Sequence, residues 1–164
     1  MIKQLMALAG AASFALMSPV QARVERETGD LLRLVSSYGV EVNDNSNECG
    51  GAMGRFTLRP SLSIHICYDS KVPTANDHDT ARHEVWHYLQ WCKNPTHVGL
   101  LPLHKDRDAY IRFVQNALSD DAIERIDSNY PVHIRAVEYE AFAAANALTA
   151  TQLMSMVREH CTPM

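Results

Sequence analysis

Five residues, His83-Glu84-Val85-Trp86-His87, constrain this chain more than any other stretch. Residues four apart share a helix face, so a helix through this segment brings both imidazoles to one point. Taking His83 as zero at about 100° per residue, His87 falls near 40°, Trp91 near 80° and Glu84 near 100°. Ala81, Tyr88, Cys92, Val85 and Leu89 gather between about 140° and 240°. The pattern predicts a helix with one apolar face for packing on a sheet and one face carrying two imidazoles and a carboxylate. H-E-x-x-H spacing suits a catalytic metal site: the imidazoles ligate, while the intervening acid stays free to take a proton from water.

The surrounding sequence supplies elements that can hold such a helix. Residues 24–38 repeat apolar side chains at helical spacing (Leu31, Leu34, Val35, Tyr38) and stop at Gly39. A short strand is expected at Val40–Asn43, a loop from Asp44 to Gly54, and two strands, Arg55–Arg59 and Ser61–Tyr68, parted by Pro60. In the second, Leu62, Ile64, Ile66 and Tyr68 alternate with Ser63, His65 and Cys67. Lys71 to Asn76 reads as a polar turn, with Asp77 or Thr80 capping the motif helix and Asn94-Pro95 ending it. Further helices are expected at about 106–118, 120–128, 133–148 and 150–160. The fold class is α+β, a short sheet packed on the motif helix with more helices towards the C-terminus.

A catalytic zinc takes three protein ligands and leaves a fourth position open. The extended metzincin pattern would need glycine at position 90 and histidine at position 93, where this chain has Gln90 and Lys93. The third ligand is better sought in the alanine-rich segment 133–145, which carries Glu138 and Glu140. A carboxylate buried among alanines must be paired or metal-bound to offset its desolvation. Helical spacing alone does not separate the two acids, since both have mostly apolar residues at ±3 and ±4, Arg135 at −3 from Glu138 being the exception. His97, His104 and His133 are further candidates, though each more commonly sits in a loop or at the surface.

HEVWH together with the later EYEAF (residues 138–142) resembles the gluzincin branch of the zincin metallopeptidases, over about residues 80 to 140. In that branch a second helix supplies a glutamate ligand, often within E-x-E-A or E-x-x-x-D. The resemblance implies a hydrolase of peptide bonds with His83, His87 and Glu138 on Zn2+ and Glu84 as general base. It also implies that the strand Ile64–Tyr68 borders the cleft and pairs with an extended peptide. The chain departs from E-x-x-x-D at Phe142, where an acid would orient a histidine. Tyr130, Tyr139, His133 and Arg135 are chemically able to stabilise an oxyanion. Trp86 and Trp91 fit a packed core better than a substrate wall. Asp106 and Asp108, like Asp120, Asp121 and Glu124, favour helix N-termini, and their spacing does not match a calcium loop.

Met1–Gln4 holds one lysine, Leu5–Met17 is apolar, and Val20 and Ala22 stand where a signal peptidase reads, so residues 1–22 are expected to be a cleaved signal peptide. The apolar run is shorter than the roughly 20 residues a bilayer span needs. Residues 23–164 would form one exported domain, periplasmic or secreted, with no membrane attachment after cleavage. Lys3 leaves with the signal, so 14 basic groups face 19 acidic ones, a net charge near −5. That balance argues against nucleic acid or an anionic membrane as partner and leaves a peptide or protein substrate. Four cysteines in an exported domain predict two disulfides, Cys49–Cys67 and Cys92–Cys161 being favoured. Two other classes remain open at this stage, a non-catalytic binding module on a zincin scaffold and a disulfide-stabilised structural domain. Oligomeric state is open as well.

Overall fold

The structure, a computed structural model, describes residues 19–44, 49–67, 74–94, 96 and 98–164. Among these it is an α+β fold of six helices and one three-stranded sheet. The elements are α1 (Pro19–Ser37), β1 (Glu41–Asp44), β2 (Gly54–Thr57), β3 (Ser63–Ile66), α2 (Ala75–Lys93), α3 (Arg107–Ala117), α4 (Asp120–Asn129), α5 (Arg135–Ala147) and α6 (Ala150–His160). Helix α1 begins at Pro19 and passes unbroken through Ala22, the residue after which cleavage is expected. Residues 1–18 of the expected leader lie outside the described residues.

The sheet order is β1-β3-β2, with β1 parallel and β2 antiparallel to β3. All four residues of β3 are buried, which overturns the expected alternation of core and solvent. The reason is position: β3 is paired along both edges and α2 packs against it. Its polar side chains satisfy one another instead, Ser63 Oγ lying 2.6 Å from Thr57 Oγ1 and 3.0 Å from His65 Nε2. With both edges of β3 paired, Ile64–Ile66 cannot take up an extended peptide; Tyr68 lies outside the described residues. Among the described residues, the strand with an unpaired edge on the motif side is β2.

Helix α2 starts earlier than its sequence suggests. Thr74 is its N-cap, and Asp77, three residues on, reaches back to accept hydrogen bonds from the Thr74 amide and hydroxyl. Thr80 sits inside the helix and donates to the Asn76 carbonyl at 2.8 Å, so neither Asp77 nor Thr80 is the cap. The helix ends at Asn94 as expected; the adjoining Pro95 lies outside the described residues.

The two-faced helix expected from the wheel is also corrected. Every residue from His83 to Gln90 is buried, because α2 is packed by α1, α5, α6, β2 and β3 together. Val85, Tyr88 and Leu89 join Leu31, Val35, Ile64 and Ile66 in the main core. Each of the fully buried aliphatic side chains contributes roughly 1.5–3 kcal/mol from its removal from water. On the other side the small side chains of Ala141, Ala144 and Ala145 bring α5 close, and Arg82 Nε donates to the Ala145 carbonyl at 3.0 Å. Two disulfides, Cys49–Cys67 and Cys92–Cys161, match the expected pairing. The first holds the turn before β2 beside the end of β3; the second ties the end of α2 to the end of α6. They suit an oxidising, exported environment. No helix among the described residues is long and apolar enough to cross a membrane.

Candidate metal centre

The close packing of α5 on α2 brings three ligand-type side chains together. His83 Nε2 lies 3.0 Å from His87 Nε2 and 3.3 Å from Glu138 Oε2, and His87 Nε2 lies 3.6 Å from Glu138 Oε1. All three residues are buried, and among the described residues they are the group that could hold a metal ion. The distances fit the role. Four-coordinate ions with bonds of about 2.0–2.1 Å to nitrogen and oxygen have ligand-to-ligand edges of about 3.3 Å. Soft ligands are missing from the set, since all four cysteines are in disulfides.

Electrostatics prepare the cluster for a cation. Burial would raise the Glu138 pKa, but hydrogen bonds from His83 and His87 outweigh it and hold the carboxyl at about 2. For His87, burial favours the neutral ring, yet the bond to Glu138 and the charge of Glu84 push its pKa upward. A metal cation would replace the proton so held.

Glu84 stands beside this group without joining it. Its carboxylate is buried, which raises its pKa against the opposing influence of His83 and His87, and it accepts a hydrogen bond from the Phe56 backbone N–H. That N–H is free to do so because of register. Cys67 N–H donates to the Met53 carbonyl, so Gly54 and Phe56 turn their own N–H and C=O groups away from β3. Gly54 also makes the space: a Cβ there would lie 2.5 Å from Glu84 Oε1 and 2.5 Å from Thr80 Cγ2. Glu84 is thus set between the metal ligands and the free edge of β2.

A cleft of about 540 Å³ opens onto His83 and Glu84. Gly51–Gly54 line one side, and Ile126, Tyr130 and Phe142 line the other. Of the four proposed oxyanion donors, only Tyr130 lines this cleft. Burial, reinforced by the charges of Glu138 and Glu84, pushes its phenol pKa up to about 12, so the O–H is retained as a donor. Tyr139 donates to Asp127 at 2.7 Å, and Arg135 is bound to Asp127 and to the Tyr130 carbonyl. His133 is exposed, and His97 lies outside the described residues.

Glu140 and His104 belong to a different face. Glu140 is fully buried and accepts from Trp86, Gln90, Leu103 and His104. It is not brought to the His83–His87 pair. Trp86 is in the core, stacked on Phe113, and Trp91 stacks on Tyr88, so neither forms a substrate wall. Asp106 caps α3 by accepting from Ala109 N–H at 2.7 Å, and Asp120 and Asp121 lie in the first turn of α4 behind the cap Ser119. Phe142 packs its edge on the His83 ring, with centroids 4.4 Å apart, in the position where an acid could have oriented a histidine.

Compared with known proteins, the chain matches no family model, no curated protein and no solved structure. The reading of the site therefore rests on its own geometry.

Sequence reasoning missed Gln90, whose side chain reaches His87 Nδ1 at 2.8 Å. At about 100° per residue Gln90 lies near 340°, next to the histidines, and that is a usable signal. It also missed Gly54 and Phe56, which carry no local mark of their closeness to Glu84.

Proposed function

We propose that this chain is an exported zinc-dependent peptidase on a zincin-like fold, with His83, His87 and Glu138 as metal ligands and Glu84 as general base. The observation that carries the reading is the convergence of a His-His-Glu group, 3.0–3.6 Å apart, with a second buried acid, Glu84, between it and an open cleft. Zinc is favoured by the two imidazoles, one carboxylate and an approach left open on the cleft side. When bound, such an ion supplies Lewis acidity, polarising a carbonyl oxygen and making water easier to deprotonate.

The protein's own groups do the rest. The free edge of β2 offers the Gly54 N–H and C=O to an extended peptide backbone, so substrate adds as a strand beside the site. Glu84, its pKa raised by burial, takes the proton from the attacking water and passes it to the leaving amine. The Phe56 N–H holds the carboxylate in place during both transfers. Tyr130, still protonated, offers its O–H to the oxygen on which negative charge develops. Secretion or periplasmic residence fits the disulfides and a peptide substrate.

The test is cleavage of a mixed peptide library by zinc-supplied protein, with Glu84→Gln as control. General-base removal should cost at least about 10²-fold in kcat while zinc stays bound. Equal cleavage by wild type and Glu84→Gln, or none by zinc-loaded wild type, would reject the peptidase assignment.

A further inference from the structure

We infer that Gln90, oriented by Glu140, is the positioning residue that fixes the His87 ring for metal binding. The inference rests on the reading of His83, His87 and Glu138 as metal ligands and adds to it the group that sets their affinity.

The argument is one of donors and acceptors. The Gln90 amide is fully buried, and its two ends differ. Nε2 lies 3.0 Å from the Val137 carbonyl and 2.9 Å from Glu140 Oε2, both of which accept. Two acceptors on one side fix which end of the amide is nitrogen, so Oε1 faces His87 Nδ1 at 2.8 Å. Oε1 can only accept, and Nδ1 must therefore carry the ring proton. The lone pair is left on Nε2, the atom that faces His83 and Glu138. One amide thus sets both the tautomer and the tilt of a metal ligand.

Glu140 is built to hold that amide still. Its two oxygens receive N–H groups from Trp86 at 3.1 Å, Gln90 at 2.9 Å, Leu103 at 2.7 Å, and the His104 backbone and ring at 2.9 and 2.6 Å. Such a set suits a carboxylate that accepts at both oxygens. Glu138 and Glu140 lie about 200° apart on α5, so one helix sends an acid to the metal ligands and another behind them. His83 has no equivalent support, since its Nδ1 is buried without a hydrogen-bond partner and its ring is wedged by Phe142. Orientation of the site then falls on His87.

The experiment is a zinc titration against a chromophoric chelator, using the chain with both disulfides formed. Gln90→Met keeps length and packing but removes the amide, and should weaken zinc binding by about 10–100-fold. Glu140→Gln places an N–H2 group among five donors and should also weaken binding. Because Glu140 acts through Gln90, the double variant should bind little worse than the weaker single. Should a variant fail to fold, imidazole nitrogen NMR of metal-free wild type at alkaline pH still decides. A protonated Nδ1 on His87 supports the relay, and a protonated Nε2 overturns it. Wild-type zinc affinity in Gln90→Met, within about threefold, would overturn it too. Absence of zinc binding by the wild type would reject the metal reading itself, and this inference with it.

Discussion

Gly54 is the residue at which the smallest chemical change should have the largest effect. A methyl group there has no room, since Glu84 Oε1 and Thr80 Cγ2 would both lie 2.5 Å away. Gly54→Ala should displace the Glu84 carboxylate from the Phe56 N–H. A shift of about 1 Å in a catalytic group costs roughly 10²-fold, so peptide cleavage should fall by about that factor while zinc content is unchanged. Side-by-side kinetics and metal analysis of the variant check this. The residues of the site differed in how readable they were. His83, Glu84 and His87 are fixed by spacing within one turn of helix, and spacing is a property of sequence. Glu138 and Glu140 have similar neighbours on their own helix, so only partners from elsewhere separate them. Those partners are His83 and His87 for Glu138, and Trp86, Gln90 and the 103–104 backbone for Glu140. Gly54 left no local signature because its constraint comes from a side chain thirty positions away.

At the scale of elements, helices were read better than strands. Periodicity located α3, α4, α5 and α6 to within about two residues; α3, α4 and α6 each bury a narrow stripe, while α5 is buried along most of its length. The rule failed for α2 and β3 for a shared reason: each is central and covered on all sides. Alternation in β3 still ran polar and apolar in sequence, but Thr57 and His65 supplied Ser63 with partners that allow it to be buried. The parallel pairing of β1 with β3 needs a long crossover and leaves no local mark. The hairpin of β2 and β3 was legible, and so were both disulfides, because each follows from which ends of neighbouring elements must meet. What could not be read was which strand keeps a free edge, and that edge places the proposed substrate path at β2 rather than β3.

For the whole molecule, the proposed metal centre would couple metal, protons and stability. His87 has a folded-state pKa above its ordinary value of 6.5, so its contribution to metal-free stability is full below that value and is lost as pH rises through the folded pKa. Glu84 is raised above its ordinary 4.5, and its contribution likewise fades as pH rises from there. Glu138 is held at about 2, so its contribution is present above 4.5 and is lost as pH falls towards 2. Metal-free protein should therefore melt at its highest temperature in weakly acidic solution and lose stability towards alkaline pH. Zinc should reverse that alkaline loss, because an ion takes the place of the proton. Thermal melts across pH, with chelator and with zinc, read both halves of the prediction. The most direct measurement is the metal content of the disulfide-bonded protein after zinc is supplied and excess removed. It should hold about one zinc per chain, falling to near none in Glu138→Ala. A cooperatively folded wild type that retains no metal would contradict the assignment of the His83, His87 and Glu138 group.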